Sequence, residues 1–242
     1  MEIKTKKKKK SKIIGSILPP AIKLWLKSQV EKIEDLEIKI DGGDTQILRG
    51  YIPEVFLSAK CAIYQGLYLS DVSVRGENIK INLGQVIKGK ALRLLQPIFI
   101  NGKIILKQKD IQNSLSSALL NSGLKDLFLL LLAQNKVDNP EEILAKYDIT
   151  WHKVTLYEDK VTLEGNLSDS EDDISPIYLH TRLSLINSQI LSLQPLQIEA
   201  KPEDLNFIFN DFQVDLGDEV KIQQLSLDET QLCCHGKITV QP

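Results

Sequence analysis

The chain has 242 residues, of which 43% are hydrophobic and 26% are charged, so it can bury a large core and is not disordered as a whole. Its net charge of −2 is unevenly placed: the first twelve positions hold seven of the 30 basic and one of the 32 acidic residues, which leaves 23 basic against 31 acidic side chains. An acidic body argues against nucleic acid as the main partner, because phosphate binding needs clustered Lys and Arg on the folded surface.

The N-terminal region predicts a basic tail followed by an amphipathic helix. Residues 1–12, MEIKTKKKKKSK, are expected to be disordered, and residues 13–242 are expected to form a single domain. The helix should begin near Pro19 and Pro20, because proline is tolerated in a first helical turn. Its apolar positions recur at three- and four-residue spacing, at Ile22, Trp25, Leu26, Val30 and Ile33.

The lysine run can be read in three ways: a nucleic-acid arm, an anchor to anionic lipid, or a solubilising tail. Polybasic segments are attracted to acidic membrane surfaces, and here the run leads into an apolar helix that carries a tryptophan. This arrangement favours a membrane surface over a solvated tail, and the acidic body places nucleic acid last. The residues expected at a membrane surface are Lys6, Lys7, Lys8, Lys9, Lys10 and Trp25.

Beyond the first helix the apolar residues alternate with a period of two, which predicts β-strands with one covered face. Short β-branched runs continue to residue 106, with glycines between them that suit hairpins. They are DLEIKI, QILRGYI, VFLSAKCAIY, LYLSDVSV, NIKINL and GKIIL.

The middle of the chain predicts a long helix, in which LKDLFLLLLAQ (residues 124–134) is apolar on every side. A surface helix is normally apolar along one stripe only, so something must cover the remaining sides. A buried core helix and a helix lining an apolar tunnel both satisfy this pattern. Asn121-Ser122-Gly123 is expected to kink or divide the helix, and NPEEILAKY predicts a further short helix.

The second half of the chain returns to strands, with one short helix at PEDLNFIFN before the last three. The whole pattern predicts an α+β domain with a long, meandering antiparallel sheet. The strand-like runs are DITWHKVTLY, KVTLEGNL, IYLHTRLSLI, QILSLQPLQIEA, FQVDLG, EVKIQQLSL and QLCCHGKITV.

The sequence offers no catalytic signature, and we name no catalytic residue, metal ligand or cofactor. The three histidines lie in separate strand-like runs without a nucleophile elbow, a phosphate-binding glycine loop or a zinc motif. Three cysteines, two of them adjacent, argue against a disulfide framework and favour a reducing, cytoplasmic setting. No apolar segment has the roughly 18–20 residues that cross a bilayer, and Pro19 and Pro20 interrupt the region that resembles a signal peptide.

Three segments together resemble the LmeA-like phospholipid-binding proteins of bacteria: GYIPEVFLSAKCAIYQGLYLSDVSVRGENIKINL, KQKDIQNSLSSALL and QLSLDETQLCCHGKITVQP. The pattern is a glycine-started strand, an Ala-x-Tyr-x-Gly-Leu turn from Ala62 to Leu67, a further strand, and an acidic residue opening a helix. The resemblance extends from about Leu18 to the end of the chain. Envelope members carry an export signal where this chain has polylysine, which favours a peripheral position on the cytoplasmic face of a membrane.

The resemblance implies a curved antiparallel sheet wrapped around the long apolar helix, with acyl chains held between them. We therefore expect a non-enzymatic protein that binds phospholipid or another acyl lipid and transfers or presents it at a membrane. The alternative is a protein-interaction module with a dry core and no ligand. The residues expected to contact lipid are Leu124, Leu127, Phe128, Leu131 and Leu132.

Overall fold

The computed structural model describes residues 12–169 and 173–242, so the predicted tail lies almost wholly outside the described residues. The fold is α+β, as expected, but its strands form two antiparallel sheets where the sequence suggested one long sheet. The long helix packs on one of these sheets and is not encircled by a single one.

The first sheet, sheet I, has six strands in the order β1-β2-β3-β4-β12-β11. Its last two strands come from the C-terminus, and β12 pairs with β4 over the full length of both. The strands are β1 (Lys32–Asp41), β2 (Tyr51–Tyr64), β3 (Leu67–Lys80), β4 (Ile98–Lys107), β11 (Val220–Leu227) and β12 (Gln231–Val240).

The second sheet, sheet II, has the order β10-β8-β7-β6-β5, and the short strand β9 also pairs with β8. Its strands are β5 (Asp148–Tyr157), β6 (Lys160–Ser168), β7 (Ile174–Leu185), β8 (Ile190–Ala200), β9 (Phe207–Phe209) and β10 (Phe212–Asp215).

Within the described residues, six α-helices lie between and against the sheets. They are α1 (Lys12–Gln29), α2 (Asp44–Leu48), α3 (Leu83–Val86), α4 (Gln108–Ser114), α5 (Ala118–Gln134) and α6 (Pro140–Leu144).

Three local predictions about secondary structure were wrong. Helix α1 begins at Lys12 and contains Pro19 and Pro20, where the sequence predicted a start near these prolines, and Ile33 lies in β1. The run QILRGYI lies partly in α2, where the Gln46 side chain accepts a hydrogen bond from the Gly43 N–H at 3.3 Å. The segment PEDLNFIFN forms a 3₁₀ turn, Glu203–Leu205, and then strand β9.

The long mid-chain helix is divided, but earlier than the Asn121-Ser122-Gly123 sequence suggested. The break lies between α4 and α5, whose axes differ by 83°. The Ser117 hydroxyl caps α5 by accepting a hydrogen bond from the Leu120 N–H at 3.2 Å, a role for which serine is favoured. Gly123 lies inside α5 without breaking it.

Each sheet packs on its own helices through a buried cluster, and the larger cluster also includes Leu227 of sheet I, with Leu232 of sheet I packed against it. Sheet I packs on α1, α2 and α3 through a cluster that includes Leu18, Ile47, Ile52, Leu83 and Val86. Sheet II packs on α5 and α6 through a larger cluster that includes Phe128, Leu131, Leu132, Ile177 and Ile198.

Helix α4 joins the two sheets through side-chain hydrogen bonds to strand backbones. Gln112 donates to the His152 carbonyl at 2.7 Å and accepts from the Val154 N–H at 3.0 Å, both on β5. On the other side, the Ser114 hydroxyl accepts from the Tyr68 N–H of β3 at 2.8 Å. Because β5 is an edge strand of sheet II, these bonds satisfy backbone groups that no neighbouring strand reaches.

Candidate functional site

An apolar cavity of about 170 Å³ lies between α1 and sheet I, and we call it the α1 cavity. None of the described side chains that line it is polar in character. Its walls are Ile22, Trp25 and Leu26 of α1; Ile52, Val55, Leu57, Val74, Gly76, Ile79, Ile98, Ile100 and Val240 of the strands; and Ile81, Leu92 and Leu94 beside α3. Pockets with mostly apolar walls are typical of sites for small apolar ligands.

The strand register places these wall residues side by side. In one row across the sheet, Val55 lies opposite Gly76 and Gly76 opposite Ile100. In the next row, Leu57 lies opposite Val74, and Val74 opposite Gly102. Directly paired residues point to the same side of a sheet, so both rows belong to the face that α1 covers, which we call the inner face.

Two glycines of the inner face have no room for a side chain. A Cβ atom on Gly102 would lie 2.9 Å from Cγ1 of Val74, and one on Gly236 would lie 2.6 Å from the Lys221 carbonyl oxygen. Both distances are too short for a side chain, so glycine is the residue that fits there.

The apolar surface continues along the inner face beyond α1. Val72 lies opposite Ile104, Ile104 opposite Cys234, and Leu106 opposite Leu232. These side chains are only partly buried. We call this row the inner strip. It begins at the cavity-wall residues Leu57 and Val74 and continues through Val72, Ile104 and Leu106.

The opposite face of sheet I is polar. Its rows contain Ser58, Ser73, Lys103 and His235, which occupy the positions between the inner residues on the same strands. A sheet with one apolar and one polar face needs a cover on the apolar side. Helix α1 supplies that cover for one end of the inner face, and the inner strip remains partly exposed.

Helix α1 turns Trp25 inward, where this side chain forms part of the cavity wall and is half-buried. Leu24 is the residue that faces water, with 71% of its surface exposed. The lysines predicted to meet a membrane, Lys6–Lys10, lie outside the described residues. The membrane role of these residues therefore remains a prediction.

Helix α5 distributes the five predicted lipid contacts between a cleft and the core. Leu124 and Phe128 line a cleft of about 850 Å³ between α5, α6 and β5. Leu131 and Leu132 have no exposed surface, and Leu127 packs against the same core. The five residues share one helix but do not line one pocket.

The α5 cleft differs in chemistry from the α1 cavity because charged side chains line it. Lys125, Asp126, Glu141 and Asp148 all border it, together with Trp151 and Tyr147. Burial, with the nearby carboxylates of Asp204 and Asp169, raises the pKa of Tyr147. A charged lining suits water or a polar group better than an acyl chain.

The described residues offer little for reaction chemistry. Across residues 12–169 and 173–242, no group of three or more His, Cys, Asp or Glu side chains could hold a metal ion. His180 bonds through Nδ1 to the Thr162 hydroxyl at 3.0 Å and stacks on Tyr178, as a structural histidine does. No single helix in this part of the chain has the length and apolarity to cross a bilayer; only the bent pair α4 and α5, taken together, reaches that threshold.

Sequence reasoning missed the α1 cavity, because it looked for lipid at the most apolar helix. A signal was present in β3, where Val72 and Val74 alternate with Ser73 and Arg75. The second signal was the run Leu92–Leu95, whose alternate residues Leu92 and Leu94 both face the cavity.

Comparison with known proteins confirms the resemblance noted in the sequence. The model of a family described as LmeA-like phospholipid-binding matches residues 10–237, which is nearly the whole chain. Neither the curated proteins nor the solved structures gave a match. The matched region contains the α5 cleft and nearly all of both sheets and of the α1 cavity, whose wall residue Val240 lies just beyond it. This chain belongs to the LmeA-like phospholipid-binding family.

Proposed function

We propose that this protein binds a phospholipid without catalysing a reaction on it, and that an acyl chain occupies the α1 cavity. The observation that carries the proposal is the cavity wall, which has no polar side chain. An acyl chain forms no hydrogen bonds and is bound by the burial of apolar surface, at about 0.8 kcal/mol for each methylene group. Family membership supports a phospholipid as the source of that chain.

The ligand extends beyond the cavity onto the inner strip. A cavity of about 170 Å³ is close in size to cavities that hold one small aromatic molecule, so it cannot enclose a whole acyl chain. One leaflet of a bilayer, about half of a 30 Å hydrocarbon core, sets the length of such a chain at roughly 15 Å. The inner face from Ile79 to Val72 spans roughly 23 Å at about 3.3 Å per residue, which is long enough.

The proposal includes work at a membrane surface, where the protein transfers or presents its lipid. The run Lys6–Lys10 would meet anionic headgroups, and α1, which carries Trp25, would lie near the interface. The free cysteines, including the adjacent Cys233 and Cys234, support a reducing compartment and hence the cytoplasmic face.

A second lipid contact at α5 is also part of the proposal. Leu124 and Phe128 border the cleft beside this helix, and Leu127, Leu131 and Leu132 complete the predicted set. Because the last two have no exposed surface, they would reach lipid only if α5 moved.

The test is native mass spectrometry of the purified protein, followed by solvent extraction and identification of any lipid. We expect a stoichiometric phospholipid on the wild type. Val74→Trp should fill the cavity and remove most of this lipid. The matched control is Ser73→Trp, which places the same bulk on the outer face of the same strand and should leave occupancy unchanged.

Bare wild-type protein, or equal occupancy in the two tryptophan variants, would contradict the proposal. In the first case the alternative gains weight: an interaction module whose core is dry throughout. In the second case the lipid would lie elsewhere, and the α5 cleft would be the next site to block.

The role of the tail is tested separately by deleting residues 1–11. Deletion should weaken binding to anionic vesicles and make the remaining binding less sensitive to salt, because exposed charges are screened over about 10 Å at 0.1 M salt. Unchanged affinity and unchanged salt dependence would show that the tail is only a solubilising segment.

A further inference from the structure

A stretch of the chain beside the α1 cavity reverses the acidic character of the protein. Between Glu77 and Asp110 there is no Asp or Glu, and there are seven Lys and Arg residues. Four cations at the end of sheet I next to α3 are exposed: Arg49, Lys88, Lys90 and Arg93. None of them is ion-paired with a described carboxylate, whereas Arg75, Lys153 and Lys201 each are.

Backbone hydrogen bonds bring these cations to one place. The Ile81 N–H donates to the Gly50 carbonyl at 2.8 Å, beside Arg49. Ile81 also forms a bridge with Leu94, and the Asn82 N–H donates to the Arg93 carbonyl at 3.3 Å. Arg49 and the loop after α3 are therefore neighbours although 44 residues separate Arg49 from Arg93.

Two exposed aliphatic side chains are interleaved with the cations. Ile87 is 47% exposed and Leu95 is 60% exposed. We call Arg49, Ile87, Lys88, Lys90, Arg93 and Leu95 the cationic rim. Exposed aliphatic residues among unpaired cations are typical of surfaces that bind a bilayer, where the charges meet headgroups and the aliphatic residues enter the interface.

The rim borders the α1 cavity directly. Along residues 92–95, Leu92 and Leu94 line the cavity, whereas Arg93 and Leu95 face water. The same short segment thus forms a cavity wall with one set of side chains and the rim with the other.

The first half of α1 lies on the same side of the fold as the rim. Leu18, in the first half of α1, belongs to the buried cluster that contains Ile47 of α2 and Leu83 of α3. Lys10 is joined to the start of α1 through Ser11 alone. About 9 Å of helix separates Lys12, which follows the lysine run in the sequence, from Leu18, at 1.5 Å per residue.

We propose that the cationic rim docks on an anionic phospholipid bilayer and holds the wall of the α1 cavity against the membrane. This docking proposal rests on the proposed function, because docking would give a bound lipid a short path between the bilayer and the α1 cavity. Nucleic acid would meet the same charges but would leave Ile87 and Leu95 without a role.

The test is co-sedimentation of the full chain with vesicles of phosphatidylcholine alone or mixed with phosphatidylglycerol. Reversing three rim charges, with Lys88→Glu, Lys90→Glu and Arg93→Glu, should weaken binding to the anionic vesicles by at least about tenfold. The matched control reverses three exposed lysines elsewhere, with Lys136→Glu, Lys146→Glu and Lys221→Glu. It has the same net charge and should retain most of the binding.

The aliphatic half of the rim has its own pair of variants. Ile87→Ser with Leu95→Ser should reduce vesicle binding even at high salt, where charge is screened. The control is Ile174→Ser with Ile208→Ser, which removes residues that are 67% and 66% exposed on sheet II. Circular dichroism checks that all variants remain folded.

Equal loss in rim and control variants would overturn the proposal, because it would indicate a general charge effect. Wild-type binding by the rim variants would also overturn it, as would rim-dependent binding of an RNA oligonucleotide by a protein that ignores vesicles. Native mass spectrometry separates this proposal from the proposed function. Rim variants that keep co-purified lipid but no longer bind vesicles would support docking. If the wild type carries no lipid but its vesicle binding depends on the rim, docking is supported and the proposed function is not.

Discussion

The two sheets share one arrangement, a helix packed on an apolar face. The side chains beneath the helix are closely packed in only one of them. Under α5, the side chains of Leu131, Leu132, Leu196 and Ile198 have no exposed surface. Under α1, a cavity of about 170 Å³ remains, and the apolar face continues past the helix with its side chains partly exposed.

The difference teaches that the apolarity of a helix does not locate a ligand. Helix α5 is the more uniformly apolar of the two, and the structure surrounds its most buried residues with sheet II, α4 and α6. Helix α1 is amphipathic and covers its sheet incompletely. An apolar cavity is left where the covering helix is too small for the sheet face beneath it.

The two halves should differ most in how much the free energy of unfolding falls when a leucine side chain is truncated to alanine. Leu131→Ala should lower the free energy of unfolding by about 2–5 kcal/mol, because the close-packed core cannot collapse into the void. Leu57→Ala in the inner strip should cost only about 1 kcal/mol, since part of that side chain already meets solvent. Urea unfolding measures both, and similar costs would mean that the two halves are equally packed.

Enlarging a side chain should also lower the free energy of unfolding more in the sheet II core than at the α1 cavity. Val154→Phe inserts bulk beside the core of sheet II and should destabilise the protein by about 1–3 kcal/mol through overpacking. Val74→Phe places the same bulk in the α1 cavity and should be close to neutral in ligand-free protein. If Val74→Phe were as costly as Val154→Phe, the α1 cavity would be closed in solution.

The connection that α4 makes between the two sheets is tested by Gln112→Ala. The change removes the two hydrogen bonds to β5 and leaves the partly buried Val154 N–H without its acceptor. We expect a loss of about 1–2 kcal/mol in unfolding free energy. Asn113→Ala, at the exposed neighbouring position, is the control and should change stability little. Equal effects in both variants would argue against this connection.

The smallest effect, and the most informative about ligand position, concerns two adjacent thiols. Cys234 lies on the inner face opposite Ile104, and Cys233 lies on the outer face opposite Ile105. Bound lipid that extends along the inner strip should slow maleimide labelling of Cys234 severalfold and leave Cys233 unchanged. Cys61→Ser combined with Cys233→Ser or Cys234→Ser isolates each thiol.

Labelling of Cys234 should also require a higher pH than an ordinary thiol needs. Burial raises the pKa of Cys234, and the neighbouring Cys233 raises it further, so less thiolate is present at a given pH. Lipid that protects neither thiol would place the ligand in the cavity alone or outside sheet I.

Much of the secondary structure followed from local pattern, whereas the division into two sheets did not. Alternation predicted most strands, and the spacing of Ile22, Trp25 and Leu26 predicted the buried side of α1. Sheet membership depends instead on long-range pairing, such as that of β4 with β12, which lie more than 100 residues apart. No local pattern encodes that choice, so one sheet was expected where two exist.

The kind of ligand could be predicted from the sequence, whereas the α1 cavity could not, and the lipid contacts predicted on α5 remain a prediction. The diffuse family pattern from Ala62 to Leu67 pointed to lipid, and family membership bears this out. The α1 cavity arises from the meeting of Leu57, Val74 and Ile100 with a helix far away in sequence. Its volume depends on how completely that helix covers them, which is a property of packing and not of composition.

Strand β1, at the edge of sheet I, has a consequence for solubility. A protein that keeps part of an apolar sheet uncovered risks pairing edge to edge with other copies. Six of the ten residues of β1 are charged, and its pairing with β2 is interrupted by two register shifts around Glu34. Charges and bulges of this kind disfavour the addition of another strand. The edge thereby allows the inner face to stay partly uncovered without seeding aggregation.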